Sequence, residues 1–224
     1  MSDMRRVTEA GRLIEDASFA LIDAEADAEA DAEGGRHAFS PAEWQVVRRV
    51  IHATADLDFT KALTFHPLAL EAGVAALRRG ASVICDVQMI AAGLSPDRLA
   101  TFGSSVSCFI AEDEVIRAAR EANCTRAAEA MRRAHRLRLL DGAVIAIGNA
   151  PTALAAVQRL VCEERAAPAL VVGVPVGFVG AVEAKEAALA LPVPHVVARG
   201  RKGGSPAAVA IVNALLALAA EGAA

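Results

Sequence analysis

Several residue types and patterns that mark common classes of protein are scarce in this sequence. The chain has no tyrosine and a single tryptophan, so it offers few of the aromatic platforms on which single-stranded nucleic acids stack. None of its apolar runs approaches the roughly 20 residues of a transmembrane helix, and its start, MSDMRRVTEAGRLIED, lacks the uninterrupted apolar segment of a secretory signal. We therefore expect neither a nucleic acid nor a membrane as a partner, and we expect a cytoplasmic location.

Cysteine usage and net charge restrict the function further. The four cysteines have no CxxC pair and no metal-ligand spacing, so we expect no metal site. Three of the four lie within apolar runs and are predicted to be buried, reduced thiols; the set is Cys85, Cys108, Cys124 and Cys162. The formal charge of -4 and the pI near 5.8 also argue against a protein that binds nucleic acid.

The chain does contain a regular alternation of apolar runs and helical patterns. Five runs rich in β-branched residues have the composition of buried parallel strands: 81–86, 105–110, 143–148, 169–176 and 194–200. Helical patterns follow at 112–122, 125–140, 151–165, 181–190 and 206–220, and three others precede the strands at 7–32, 41–53 and 66–79. This alternation predicts an α/β fold with a parallel five-stranded sheet and added N-terminal helices, in a single domain over residues 1–224. The acidic low-complexity stretch 24–40 is predicted to be a solvated helix end and loop.

Glycine-bearing turns follow three of the predicted strands, at the edge of the sheet where α/β proteins bind ligands. Backbone N–H groups at helix N-termini bind anions, and two arginines and Lys202 after the last strand add positive charge, so this edge is predicted to bind anions. The turns lack the GxxxxGK[ST] and GxGxxG patterns of nucleotide-binding loops. A purely steric reason for the glycines stays open as an alternative. The candidate residues are Gly148, Asn149, Thr152, Gly177, Phe178, Arg199 and Arg201.

His52 is the histidine with a candidate chemical role. It ends the helical pattern formed by Trp44, Val47 and Ile51, and a helix C-terminus stabilises an imidazolium ion. A histidine so placed can act as a general acid near neutral pH. The residues alone leave open a structural or capping role for His52.

The blocks IHATADLDF, CDVQMIAAG, NCTRAAEAM, AIGNAPTALAAV, GVPVGFVGAVEAK and ARGRKGGSPAAVAIVNALL occur in one order along the chain. In that order they resemble the precorrin-8X methylmutase family of cobalamin biosynthesis, over about residues 12 to 218. The resemblance implies a flavodoxin-like three-layer α/β/α fold and a homodimer with its sites at the subunit interface. It also implies an isomerase that moves a methyl group from C11 to C12 of the precorrin macrocycle to give hydrogenobyrinic acid, without a metal, redox or nucleotide cofactor.

The same resemblance implies roles for particular residues. His52 falls on the family's catalytic histidine, and Ser18 and the pair Thr125-Arg126 fall on its substrate-binding positions. The turn residues Gly148, Asn149 and Thr152 would then receive the carboxylate arms of the tetrapyrrole. Phe178 would contact a face of the macrocycle, and Arg199 and Arg201 would form ion pairs with its carboxylate arms. Gln88 stands where family members often carry glutamate, which leaves its contact with substrate open.

Two alternative functions stay open at this point. The first is an anaerobic-route isomerase that converts cobalt-precorrin-8 to cobyrinic acid, and the second is a non-catalytic tetrapyrrole-binding protein of the same fold. The homodimer is also expected from the residues themselves, because the closing helical pattern 206–220 is apolar on almost every side. One sheet face cannot bury such a helix completely, and the Trp44 face offers a second apolar surface.

Overall fold

A computed structural model describes residues 8–32 and 38–221 of the chain. Within these residues the centre of the fold is a six-stranded sheet in the order β1-β6-β5-β4-β2-β3. All neighbouring strands are parallel except β1, which runs antiparallel to β6. The strands are β1 (Leu63–Phe65), β2 (Val83–Cys85), β3 (Val106–Ser107), β4 (Val144–Ile147), β5 (Leu170–Gly173) and β6 (His195–Ala198).

Helices connect and cover the strands on both faces of the sheet. The described part of the chain has α1 (Glu9–Ala32), α2 (Pro41–Thr54), α3 (Phe59–Ala62), α4 (Ala69–Arg78), α5 (Gln88–Gly93), α6 (Pro96–Phe102), α7 (Asp113–Glu121), α8 (Arg126–Arg136), α9 (Pro151–Cys162), α10 (Ala181–Ala188) and α11 (Ser205–Glu221). None of the helices in residues 8–32 and 38–221 has the length and apolar character of a membrane span.

The predicted α/β fold is confirmed, with one strand more than expected. All five predicted strands form, each shorter than the apolar run that predicted it. The additional strand β1 has three residues, and a strand of this length shows too little alternation to be recognised from its sequence. The helices α3, α5 and α6, with four to seven residues each, were missed for the same reason.

The predicted acidic stretch 24–40 lies only partly within the described residues. Residues 24–32 continue α1 to its end at Ala32. Residues 33–37, and residue 7 at the start of the predicted first helix, lie outside the described residues.

Alternate residues of each central strand build the two halves of the core. In β4, Val144 and Ala146 pack in the cluster formed with α2, α4 and α11, whereas Ile145 and Ile147 pack in the cluster formed with α8 and α9. This alternation is the period of two that a strand imposes on its side chains. Because both faces are covered, all four residues of β4 are apolar and buried, as is typical of a parallel sheet.

The ends of α2 are fixed by local hydrogen bonds. At its start, Ser40 and Glu43 form a capping box, and Pro41 occupies the first turn. At its end, Ala55 adopts the left-handed conformation with φ of 52°, and its N–H donates to the carbonyl oxygen of Ile51. The cap stops the helix directly after the turn that contains His52.

The closing helix α11 is enclosed by its own chain. It packs against α2, α4, α5, α6 and the strands β4 and β5, and it is buried along most of its length. The prediction that this helix needs a second subunit to cover it is therefore wrong, because α2 and α4 bury the faces that the sheet leaves free. The Trp44 face is also covered, since its indole N–H donates to Asp23 of α1 at 2.9 Å.

Large apolar side chains are instead exposed in groups at two other places, while Leu68, Met89 and Leu137 are exposed singly. On α1, Leu13, Ile14 and Leu21 are between 64% and 68% exposed. In the turn after β5, Phe178 is 82% and Val179 is 91% exposed. These two surfaces replace α11 as the candidates for contact with another molecule.

A close backbone contact joins the turn after β4 to the start of α11. A Cβ atom on Gly148 would lie 2.9 Å from the Cα of Ser205 and 3.0 Å from the carbonyl oxygen of Gly204. Both neighbours are backbone atoms, so neither can move aside by rotating a side chain. Glycine at position 148 therefore allows the first turn of α11 to approach the sheet.

We expect Gly148→Ala to lower the free energy of unfolding by about 1–3 kcal/mol, because overpacking forces backbone shifts. Gly73→Ala is the matched control, since its Cβ would meet only the ends of side chains: Cδ2 of Leu170 at 2.8 Å and Cδ1 and Cδ2 of Leu215 at 3.4 and 3.6 Å. Alanine also gains about 0.5–1 kcal/mol over glycine inside a helix such as α4, so the control should change stability by less than Gly148→Ala. Urea denaturation of both variants measures the difference, and equal losses would contradict the backbone contact.

Candidate active site

His52 and Ser18 lie in the wall of one cavity. The cavity has a volume of about 390 Å³ and lies between α1, the last turn of α2 and the loop that follows. It is lined by Ser18, Leu21, Ile22, Glu25, Ile51, His52, Ala55, Asp56 and Leu57. Two of the predicted site residues, distant in sequence, are thus brought together by the packing of α1 on α2.

The imidazole of His52 has an aromatic neighbour and open access to solvent. The ring of Phe19 packs edge-on against it with the ring centroids 5.2 Å apart, and the side chain of Arg48 covers Phe19 with its guanidinium 4.4 Å from the ring centroid. Within the described residues, neither ring nitrogen of His52 has a hydrogen-bond partner. Both nitrogens are therefore available to a ligand in the cavity.

Two acidic residues line the same cavity, and a lysine from a distant turn covers one of them. Glu25 of α1 and Asp56 after α2 are both in the cavity wall. The Nζ of Lys202 donates to Asp56 Oδ1 at 2.9 Å and also bonds Asp58. Hydrogen bonds to these carboxylates raise the pKa of Lys202, and the ammonium in turn lowers the pKa of Asp58.

The turn after β4 is occupied by a carboxylate of the protein itself. The Asp86 side chain, buried at the end of β2, accepts from the backbone N–H groups of Gly148 at 3.1 Å, Asn149 at 2.9 Å and Ala150 at 2.7 Å. Burial raises the pKa of Asp86, while the three N–H groups oppose this by stabilising the carboxylate. The prediction that Gly148 and Asn149 offer free N–H donors to a ligand is therefore wrong, because Asp86 already uses both.

The N-termini of α8 and α9 meet through two threonines. The hydroxyl oxygens of Thr125 and Thr152 are 2.7 Å apart, and Thr125 also caps α8 by accepting from the N–H of Ala128. Arg126 opens α8 and lines a second cavity of about 540 Å³ together with Arg120. Neither guanidinium forms an ion pair within the part of the chain that the structure describes, so both can pair with an anion from outside.

The residues predicted after β5 and β6 form a third group. The backbone N–H of Gly177 donates to the carbonyl oxygen of Arg201 at 3.2 Å, and the Arg201 guanidinium lies 5.4 Å from the ring centroid of Phe178. Arg199 makes a two-pronged ion pair with Glu186, at 3.0 and 2.8 Å. The N–H of Gly177 and the guanidinium of Arg199 thus have partners within the chain, and their contacts with substrate stay predictions.

The predicted site thus divides into three groups. Ser18 and His52 share the first cavity, Thr125, Arg126 and Thr152 lie together at the α8–α9 junction, and Phe178 packs with Arg201. None of the second or third group lines the His52 cavity. A single chain therefore does not assemble the predicted site around His52.

Comparison with known proteins assigns this arrangement to a family. The sequence profile described as precorrin-8X methylmutase matches residues 13–218. The chain belongs to the precorrin-8X methylmutase family. It is 47% identical over 224 residues to a cobalt-precorrin-8 methylmutase of Leptospira interrogans, covering 97% of this chain and 98% of that protein. It is 43% identical over 208 residues to a precorrin-8X methylmutase of Pseudomonas aeruginosa, covering 92% and 94%.

A solved structure agrees with this assignment. The precorrin-8X methyl mutase of Thermus thermophilus superimposes with a TM-score of 0.85 at 48% identity, covering 95% of this chain and 98% of that one. Methylmutases move a methyl group within one molecule, so this chain is an isomerase, and its family acts in cobalamin biosynthesis on precorrins.

Three functional features of this methylmutase were not recognised in the sequence. The bonds of Asp86 to the turn after β4, the place of Glu25 in the His52 cavity and the contact of Lys202 with that cavity were not predicted. Gln88 opens α5 with an exposed side chain whose amide is 3.5 Å from the carbonyl oxygen of Cys108. The cysteine prediction is wrong in part, because only Cys85 is buried and Cys162 is exposed; burial raises the pKa of the Cys85 thiol.

We expect Asp86→Asn to lower the free energy of unfolding by about 1–3 kcal/mol. An amide has one acceptor oxygen for three N–H donors, and an unsatisfied buried donor costs about this much. Asp141→Asn is the matched control, because the exposed Asp141 accepts a single N–H, from Ala167 at 2.8 Å. Chemical denaturation should show almost no change for the control, and equal stability of the two variants would refute the role of Asp86 in holding the turn.

Proposed function

We propose that this enzyme moves the methyl group from C11 to C12 of precorrin-8X and so forms hydrogenobyrinic acid. The observation that carries the proposal is that His52 and Ser18 share one cavity, with the imidazole open to a ligand. A second candidate substrate is cobalt-precorrin-8, converted to cobyrinic acid. It is favoured by the name of the Leptospira interrogans relative, which is 47% identical to this chain.

In the proposed reaction His52 acts as a general acid. The imidazolium donates a proton, or a hydrogen bond, to the macrocycle, which weakens the bond between the methyl group and C11. The methyl group migrates by a sigmatropic shift, and the proton returns to His52 when C12 has accepted the methyl group. Atoms and electrons are conserved because substrate and product are isomers. His52 lies in the last turn of α2 and its ring lines the cavity that would receive the macrocycle.

The carboxylate arms of the substrate are proposed to bind away from His52. Arg126 has no ion pair within the described residues and lies beside the threonine pair of Thr125 and Thr152. Arg201 is held on the ring of Phe178, which is almost fully exposed. A guanidinium can bind a carboxylate through two parallel hydrogen bonds, while Phe178 offers an apolar surface for a face of the macrocycle.

We also propose that the enzyme is a homodimer whose sites are completed across the interface. The support is the separation of the candidate residues into three groups, together with the exposed apolar surfaces of α1 and of the turn after β5. A two-fold interface would place the His52 cavity of one protomer opposite the arginines of its partner. The chain would act as a single domain in the cytoplasm, where free thiols stay reduced.

We expect His52→Ala to lower kcat by roughly a hundredfold or more, the usual effect of removing a general acid. Product should still bind, because the carboxylate arms dominate ground-state affinity. The visible spectrum of precorrin-8X, and separately of cobalt-precorrin-8, would be followed during turnover. His135→Ala is the control, since His135 pairs with Glu164 outside the three groups. Near-normal turnover by His52→Ala would remove this residue from the mechanism, and a wild-type enzyme inert on both substrates would refute the proposed function.

Light scattering should give twice the 23.1 kDa mass of the chain. If His52 and Arg126 of one site come from different protomers, mixing a His52→Ala chain with an Arg126→Ala chain should restore part of the activity that each lacks. Half of the sites in a mixed dimer would then be intact at both positions. A monomer that stays fully active on dilution would contradict the shared site.

A further inference from the structure

The His52 cavity has an acidic wall, which conflicts with the charge of the proposed substrate. Glu25 and Asp56 line the cavity, and Asp58 follows two residues after Asp56. The proposed substrate carries several acetate and propionate arms. Carboxylates brought close to other carboxylates repel them unless a positive charge lies between. Even when the arms bind away from His52, a positive charge beside this wall would weaken its repulsion of the substrate.

The arginines of α2 do not serve this purpose. Arg48 bonds Asp23 at 3.0 Å, and Arg49 bonds Glu15 at 3.0 Å. Both acids belong to α1, so these two ion pairs fasten α1 to α2. The charge of each arginine is already matched by its partner and leaves the cavity wall unchanged.

Among residues 8–32 and 38–221, Lys202 is a cation in direct contact with the wall. Its Nζ lies 2.9 Å from Oδ1 and 2.8 Å from Oδ2 of Asp56, and it also pairs with Asp58. The lysine side chain is 48% exposed and that of Asp58 is 60% exposed. Ion pairs as exposed as this one contribute little to stability. Their effect lies instead in the charge that they present to an approaching ligand.

The backbone of the turn that carries Lys202 is held from two sides. Buried Lys185 on α10 donates through its Nζ to the carbonyl oxygen of Lys202 at 2.8 Å, and burial lowers the pKa of this ammonium to about 8. On the other side, a Cβ on Gly203 would lie 2.2 Å from the carbonyl oxygen of Val174. That oxygen also accepts from the N–H of Gly204 at 2.8 Å. The backbone at Lys202 is therefore held by contacts within the chain, without a ligand.

We propose that Lys202 is a specificity-determining residue of the His52 cavity: its ammonium offsets part of the negative charge of Asp56 and Asp58 and so favours the binding of a polycarboxylate tetrapyrrole. The inference rests on the proposed function, because it concerns the same cavity and the same substrate. Lys202 acts through the two carboxylates and takes no part in the bond changes. Lys202 is a positioning residue because it places a positive charge beside these carboxylates. Its removal should therefore affect substrate binding far more than the chemical step.

The test uses Lys202→Met in the full chain, with hydrogenobyrinic acid as the probe in a spectral titration and precorrin-8X in the assay. Without the ammonium, Asp56 and Asp58 should repel the ligand more strongly and raise Kd and KM about tenfold. The kcat should change by less than about twofold. Lys202→Arg should keep near-normal binding because it retains the charge. Lys61→Met is the matched control: Lys61 acts on Asp58 more weakly than Lys202 does, so Kd should change less than about twofold.

Two further measurements separate charge from the mere tethering of a loop. In the triple variant Lys202→Met, Asp56→Asn, Asp58→Asn the repelling charges are absent, so Kd should return to within about threefold of the wild-type value. Raising the ionic strength should also shrink the difference between Lys202→Met and the wild type, because salt screens the repulsion. A loop that is only loosened would recover in neither experiment.

The outcomes distinguish this inference from the function on which it rests. A wild-type protein that does not bind the probe refutes the proposed function, and the role of Lys202 with it. Wild-type binding together with an unchanged Kd for Lys202→Met refutes the role of Lys202 alone. A weakened Lys202→Met variant that the two asparagine substitutions do not restore also refutes it, since the lysine would then only tether the loop.

Discussion

The geometry of the candidate site depends on the bonds between Asp86 and the turn after β4. This carboxylate lies at the end of β2 and accepts hydrogen bonds from three backbone N–H groups of the turn that precedes α9. The same turn lies against the first residues of α11 because Gly148 has no side chain. One buried charge thus ties β2, β4 and α9 together at the edge where ligands of α/β proteins bind. The neighbouring Thr152, in the first turn of α9, is held in place by the same bonds.

The parts of the fold that were predictable are those set by local patterns. Buried strands appear as continuous apolar runs, and the capping box and proline of α2 mark its start in the sequence. The position of His52 in the last turn followed from the same helical pattern. β1 was missed because three residues carry no recognisable period, and it is defined by pairing with β6, more than 130 positions away.

The parts of the site that were not predictable depend on contacts between distant residues. Asp86 and Gly148 are 62 positions apart, and Lys202 and Asp56 are 146 positions apart. Nothing in either local sequence indicates which residue of a turn faces which acid. The strand-end rule pointed to one edge of the sheet, but Asp86 and Glu186 were not foreseen as the partners of groups expected to be free. Charges that look available in a sequence are often already paired in the fold, as Arg199 is with Glu186.

The occupied turn after β4 also distinguishes this protein from α/β proteins that bind phosphate at the same place. In many proteins with a sheet of this kind, the corresponding helix N-terminus holds the phosphate of a nucleotide or flavin. Here a carboxylate belonging to the chain fills that position and adds negative charge to it. The N–H groups of Gly148, Asn149 and Ala150 are therefore already bonded within the chain and are not free for a phosphate. The turn that serves as a phosphate site in those proteins serves here as a fixed joint between the end of β2 and the start of α9.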